Sequence, residues 1–148
     1  MILPDVIVLV YAFRQDAERH NEYRSWLDGV VNGLEPYGIS PQTLASVIRI
    51  STFRRIFSNP SSLNEVLEFC GALTRPEHCV AVQPGPRHWQ IFFDLCRKSR
   101  ASGNLVQDAW FAALAIEAGC EWITTDRDYA RFPGLRWREP FGNLEPRT

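Results

Sequence analysis

The chain has 148 residues, is 45% hydrophobic, contains five Trp and carries a formal net charge of −1 at neutral pH. A chain of that size and composition buries one full core and is expected to fold as a single domain, without the polar bias of a disordered segment or the roughly eighteen-residue apolar stretch of a membrane span. The near-zero charge excludes a global basic field, so an anionic partner has to be gripped locally, by arginines or by a metal ion.

The start, MILPDVIVLVYAFRQD, has no basic leader and carries an acid inside its apolar run, which points to a cytoplasmic protein rather than a secreted one. Cys70, Cys79, Cys96 and Cys120 show no zinc or redox spacing and fit small buried residues of a reducing compartment. Of the sixteen Lys plus Arg only Lys98 is a lysine, a bias that suits planar contacts with phosphate.

Residues 2–5 are a short apolar run ending in an acid, and the spacing predicts a strand that stops near Asp5. Residues 16–33 read as an amphipathic helix with Tyr23, Trp26, Leu27, Val30 and Val31 inward and Gly33 closing it. His20, on that helix, reads as a packing residue. Residues 37–40 make a second strand, after which Pro41 opens a helix at its first position, with Leu44, Val47, Ile48 and Ile50 apolar. Arg49, Arg54 and Arg55 lie on or beyond this helix and either grip phosphate or solvate its end.

Ser62 and Glu65 form a capping-box pattern for a helix running to about residue 74, and residues 79–82 make a third strand. Residues 88–100 read as another amphipathic helix, with Trp89, Ile91, Phe92 and Leu95 apolar. It ends in the densest basic patch of the chain, Arg97-Lys98-Ser99-Arg100, which favours the helix dipole and leads straight toward Asp108.

Asn104 can cap the next helix, with Gln107 reaching back to it, so that the helix begins at Leu105. Its positions from Ala109 to Ile116 are apolar, the pattern of a buried helix. Asp108 in its first turn therefore stands out, because a carboxylate entering a core needs a cation or several donors. The dipole contributes only ~0.3–1 kcal/mol toward that. Gly119 ends the helix, and residues 120–125 read as a strand leading into Asp126 and Asp128. Residues 136–138 fit an edge strand, and residues 139–148 a surface tail.

Taken singly, each acid reads as a cap or a solvated turn. Strands alternating with helices predict an α/β fold with a parallel sheet between helical layers, and such a sheet brings Asp5, Asp108 and Asp126 to its carboxyl edge, where ligands bind. Carboxylates without cysteine or histidine favour Mg²⁺ or Mn²⁺ over zinc, and such ions typically act on phosphate.

The sequence resembles the PIN-domain family, and within it the VapC-type toxins of prokaryotic toxin–antitoxin pairs. The likeness rests on MILPDV, on Asp16-Ala17 with His20, on the helix containing Arg49 and Thr52, on VQDAWFAALAIEAG and on ITTDRDYARFPGLRW. It implies a PIN-like three-layer fold over residues 1–148, with a central, mainly parallel sheet flanked by helices. It also implies a Mg²⁺-dependent ribonuclease, with Mn²⁺ as a substitute, in which metal-activated water attacks an RNA phosphodiester in line. A VapB-like antitoxin would silence it, and the toxin would pair as a homodimer.

By position the resemblance assigns metal binding and catalysis to Asp5, Asp108 and Asp126, an auxiliary metal role to Asp128, and the small polar place beside the site to Thr124. Arg97, Lys98 and Arg100 become candidates for RNA contact. Two positions depart from the pattern. Ser46, in LASVIRIST, stands where the family normally carries a Glu, and Ile7 stands two residues after the first Asp, where the family usually has Asn, Ser or Thr. No other acid lies between Glu35 and Glu65. Ser46 can hold a water but adds no charge, so a metal site weaker than the family norm is expected. The alternative is a PIN domain that binds antitoxin or RNA without cleaving.

Overall fold

A computed structural model describes residues 1–141. In chain order its elements are β1 (Ile2–Pro4), α1 (Val6–Phe13), α2 (His20–Val31), β2 (Tyr37–Ile39), α3 (Pro41–Ser51), α4 (Leu63–Thr74), β3 (Cys79–Ala81), α5 (His88–Ser99), α6 (Asn104–Ala118), β4 (Glu121–Ile123), a 3₁₀ turn (Arg127–Arg131) and β5 (Trp137–Arg138). Among the described residues every strand pair is parallel: β1 with β4, β4 with β5, and β2 with β3. The pairs form two ladders, β1-β4-β5 and β2-β3. They meet at Gly38, where an added Cβ would fall 3.3 Å from Leu3 Cδ1 and 2.8 Å from Val82 Cγ2. Only a residue without a side chain leaves room there for the Val82 and Leu3 side chains.

Successive side chains of a strand point to opposite faces. On β1, Ile2 accordingly packs against a core built from α1 to α4, while Leu3 enters a second core with α5 and α6. The result is the three-layer arrangement expected, with helices on both faces of a parallel sheet.

The strand predicted to stop near Asp5 does so, and the apolar run after it is a helix. Asp5 at φ −72, ψ 158 is the N-cap of α1, its carboxylate accepting from the Val6 amide. Val8, Leu9, Val10 and Ala12 of that helix are buried, as a helix apolar on all sides must be. The Ser62–Glu65 cap forms at α4, with the Glu65 amide donating to Ser62 Oγ at 3.2 Å.

Three local expectations are corrected. The second helix starts at His20 rather than residue 16, because Asp16 is drawn back to the Arg14 guanidinium and Arg19 takes a left-handed φ of 60. Its C-cap is Asn32, not Gly33. At α6 the N-cap is Gly103, at φ 58, with no side-chain cap bond, so Asn104 is the first helical residue and Asp108 falls in the second turn. The glycine makes the entry turn by backbone alone, the Val106 amide donating to the Gly103 carbonyl at 3.1 Å, which leaves Asn104 and Gln107 free. Of the expected tail, Phe141 packs on Tyr23 with ring centroids 4.8 Å apart, and residues 142–148 lie outside the described residues. Among the described residues no helix is long and apolar enough to cross a membrane.

Candidate active site

The parallel pairing of β1 with β4 sets Asp5 beside Thr124. The Asp5 amide donates to the Ile123 carbonyl at 2.9 Å, extending the ladder one residue past Pro4. Both carboxylate oxygens of Asp5 are then engaged: Oδ1 accepts from the Val6 amide at 2.6 Å, and Oδ2 accepts from the Thr124 hydroxyl at 2.6 Å. Thr124 is fully buried, and its Oγ1 accepts in turn from the Asp126 amide at 3.0 Å. Asp126 caps the 3₁₀ turn, Oδ1 accepting from the Asp128 amide at 2.9 Å. A single hydroxyl thus fixes two acids from opposite ends of the sequence.

Asp108 comes to the same place from α6. The Tyr129 hydroxyl, at the far side of the 3₁₀ turn, donates to its Oδ1 at 3.3 Å. Tyr129 is buried against Trp122, which stacks in turn on Phe111 with centroids 5.5 Å apart. Aromatic packing therefore positions the hydroxyl.

These acids make the site electrostatically costly in the absence of a cation. Burial pushes the Asp5 carboxyl up to about 6, Asp108 and Asp126 add to the rise, and the Thr124 and Val6 hydrogen bonds oppose it. Asp108 is raised by burial first, then by Asp126, with the Tyr129 bond acting against the shift. Burial and the neighbouring carboxylates likewise hold the Tyr129 hydroxyl protonated.

Asp5, Asp108 and Asp126 line one cavity of about 380 Å³, together with Ile7, Ser46 and Arg49. Thr124 lies behind its wall rather than in it. Asp128 is exposed, does not line the cavity, and pairs with Arg131 at 3.7 Å. Arg97, Lys98 and Arg100 are also absent from the lining; Arg97 instead lies over the Phe93 ring at 5.2 Å.

Among the described residues, the basic side chain on the cavity wall with the acids is that of Arg49. Its place was open in the sequence, yet it follows Ser46 by three positions, one helical turn on the same face of α3. Among the described residues its guanidinium makes no ion pair or hydrogen bond. Asn104, Gln107 and Tyr129 also line the cavity and were not singled out as site residues. For the two amides the failed cap was the available signal; for Tyr129 there was only its place three residues after Asp126.

The donor set suits a hard divalent cation: carboxylate oxygens from three elements on one cavity, with neither thiolate nor imidazole among its walls. Among the described residues no three acidic, histidine or cysteine side chains stand close enough to form a finished ligand shell. The expected charge deficit at Ser46 lies on this same wall.

A family model described as PIN domain matches residues 2–135. VapC ribonuclease Mb2897 of Mycobacterium bovis is 41% identical over 140 residues, 95% of each chain. Ribonuclease VapC31 of Mycobacterium tuberculosis is 38% identical, over 95% of this chain and 99% of its own. Among solved structures, VapBC2 from Rickettsia felis bound to a fragment of promoter DNA superposes with a TM-score of 0.68, covering 94% of this chain and 98% of that one at 16% identity, a likeness of fold.

Proposed function

From its place in the PIN-domain family, to whose VapC branch the chain belongs, we propose that the protein is a divalent-metal ribonuclease, the toxin of a pair with a VapB-like antitoxin. The observation that carries the reading is the convergence of Asp5, Asp108 and Asp126 on one cavity that also holds Arg49. The relatives named as ribonucleases supply the substrate class, and the VapBC complex supplies the kind of partner. The proposed site of action is the cytoplasm, and a homodimer is the proposed assembly.

Asp5, Asp108 and Asp126 would hold Mg²⁺, or Mn²⁺ in its place. When bound, such an ion activates water for attack on phosphorus and offsets charge on the phosphate oxygens. The chain's own residues prepare for that. Thr124 orients Asp5 and favours its ionised form, Tyr129 steadies Asp108, and Arg49 draws the RNA phosphate into an otherwise negative cavity. Asp128 orients Asp126 through its backbone amide rather than from within the cavity.

The test is cleavage of a mixed RNA pool by antitoxin-free protein across a Mg²⁺ and Mn²⁺ titration, with Asp108→Asn as control. Cleavage that requires metal and vanishes in the control is the expected result. Absence of cleavage at every metal concentration would transfer the reading to a domain that binds antitoxin or RNA without cutting. Ser46→Glu, restoring a carboxylate to the wall, is expected to lower the metal concentration for half-maximal cleavage by about tenfold. An unchanged titration midpoint would show that the serine is no handicap.

A further inference from the structure

We propose that a second, apolar pocket beside the acid-lined cavity receives one nucleobase of the RNA strand and thereby selects the base flanking the bond that is cut; this rests on the ribonuclease reading. The pocket has a volume of about 400 Å³, within the range of small-molecule sites. Its decisive feature is continuity with the site already described, because Gln107 and Phe111 line both cavities. A strand whose phosphate lies against Arg49 and the acids has a neighbouring base at this opening.

The walls suit a base. Phe92 and Trp110 supply aromatic surface, and Trp110 is held in place before any ligand arrives: His88 meets its ring at 4.8 Å and 61°, and Phe111 meets it at 5.2 Å and 87°. The His88 Nε2–H also donates to the Trp110 carbonyl at 3.0 Å. Stacking on a fixed aromatic tolerates any base, so discrimination has to come from polar groups at the rim. Gln42 and Gln107 are those groups. The Ser40 hydroxyl donates to Gln42 Oε1 at 2.9 Å, which leaves the Gln42 Nε2–H donors for the acceptor edge of a base. Among the described residues no charged side chain lines the pocket, so it does not compete for phosphate.

Two variants test this without removing core packing. Val106→Trp, at an exposed lining position, fills the pocket, and Gln42→Ala removes the rim donor. Binding is measured first in EDTA, with a labelled single-stranded RNA tetramer and its single-abasic counterparts. The wild type is expected to bind one abasic tetramer about tenfold more weakly, the size of one lost stacking contact, and Val106→Trp is expected to bind both equally. In Mn²⁺, the cut-site profile of a random RNA pool should show a base preference at one fixed position, flattened by Val106→Trp and relaxed by Gln42→Ala.

Equal wild-type binding of intact and abasic tetramers overturns the pocket, as does a cut-site preference unchanged in both variants. A wild type that discriminates in EDTA but never cleaves sinks the ribonuclease reading while leaving base capture in place. If Val106→Trp alters only antitoxin affinity or oligomeric state, the pocket serves a protein partner and the proposal fails.

Discussion

Replacing Asp5 with Asn is expected to cut metal-dependent RNA cleavage by on the order of 10²–10³-fold while raising the melting temperature of the metal-free protein. The two effects share one cause. Asp5 is 8% exposed, and its carboxyl is raised from 3.8 to about 6, chiefly by burial and further by Asp108 and Asp126. A carboxyl group whose folded pKa lies above its unfolded value binds more protons when folded, so its contribution to stability is full below about pH 4 and is lost as the pH rises toward about 6. That gap corresponds to about 3 kcal/mol.

Asparagine removes the ionisation and keeps an oxygen for the Val6 amide, but its NH₂ group obliges the Thr124 hydroxyl to turn round. A net gain of about 1–2 kcal/mol remains, or roughly 3–6 °C. Melting curves of both proteins in EDTA between pH 4.5 and 7.5 provide the check, since their difference isolates Asp5 from the other titrating groups. The curves should meet or cross near the acid end, with the variant the more stable toward neutrality. Mn²⁺ should raise the wild-type midpoint and leave the variant where it was. A variant that melts below the wild type in EDTA at pH 7.5 would mean that the carboxylate stabilises the fold through its hydrogen bonds more than burial opposes it.

This conflict explains why the acids of the candidate site stood out in the chain. An acid at the end of an apolar strand, or inside an apolar helix, violates the pattern around it, and Asp5, Asp108 and Asp126 each do so. Their convergence follows from parallel pairing, which sets Asp5 level with Thr124 and brings the β4 turn under α6. Choices between near-equivalent local solutions were less legible. Gly103 and Asn104 both offer a way into α6, and the glycine's backbone wins. Arg49 and the cluster at Arg97, Lys98 and Arg100 both offer cations, and helical phase rather than density decides which faces the acids. The role of Tyr129 depends on its tilted packing against Trp122, a contact that sequence spacing does not encode.

Arg14 carries the other large effect: Arg14→Ala is expected to destabilise the fold by about 2–4 kcal/mol, whereas Asp16→Ala should cost less than about 1 kcal/mol. The pair looks like one ion pair, Arg14 Nε donating to Asp16 Oδ1 at 2.9 Å. Its two halves sit in different surroundings, however, with the Arg14 side chain 6% exposed and that of Asp16 57% exposed. The attraction is therefore largely screened by water, even though Arg14 holds the Asp16 carboxyl below its usual range.

What Arg14 does elsewhere is not screened. One terminal nitrogen donates to the Asn59 carbonyl at 2.9 Å and to Ser61 Oγ at 3.0 Å, and the guanidinium lies over the Phe57 ring at 3.9 Å. Those contacts tie the end of α1 to the segment that follows α3, the helix that presents Ser46 and Arg49 to the cavity. Truncating Arg14 leaves two acceptors without their donor and uncovers the ring. Truncating Asp16 removes only a solvated partner. Urea unfolding of Arg14→Ala, Arg14→Lys and Asp16→Ala separates the contributions, with Lys falling between the other two because it keeps the charge and loses the planar fork. Equal losses for Arg14→Ala and Asp16→Ala would assign the anchor to the ion pair; a loss confined to Arg14 assigns it to the ring and the two acceptors.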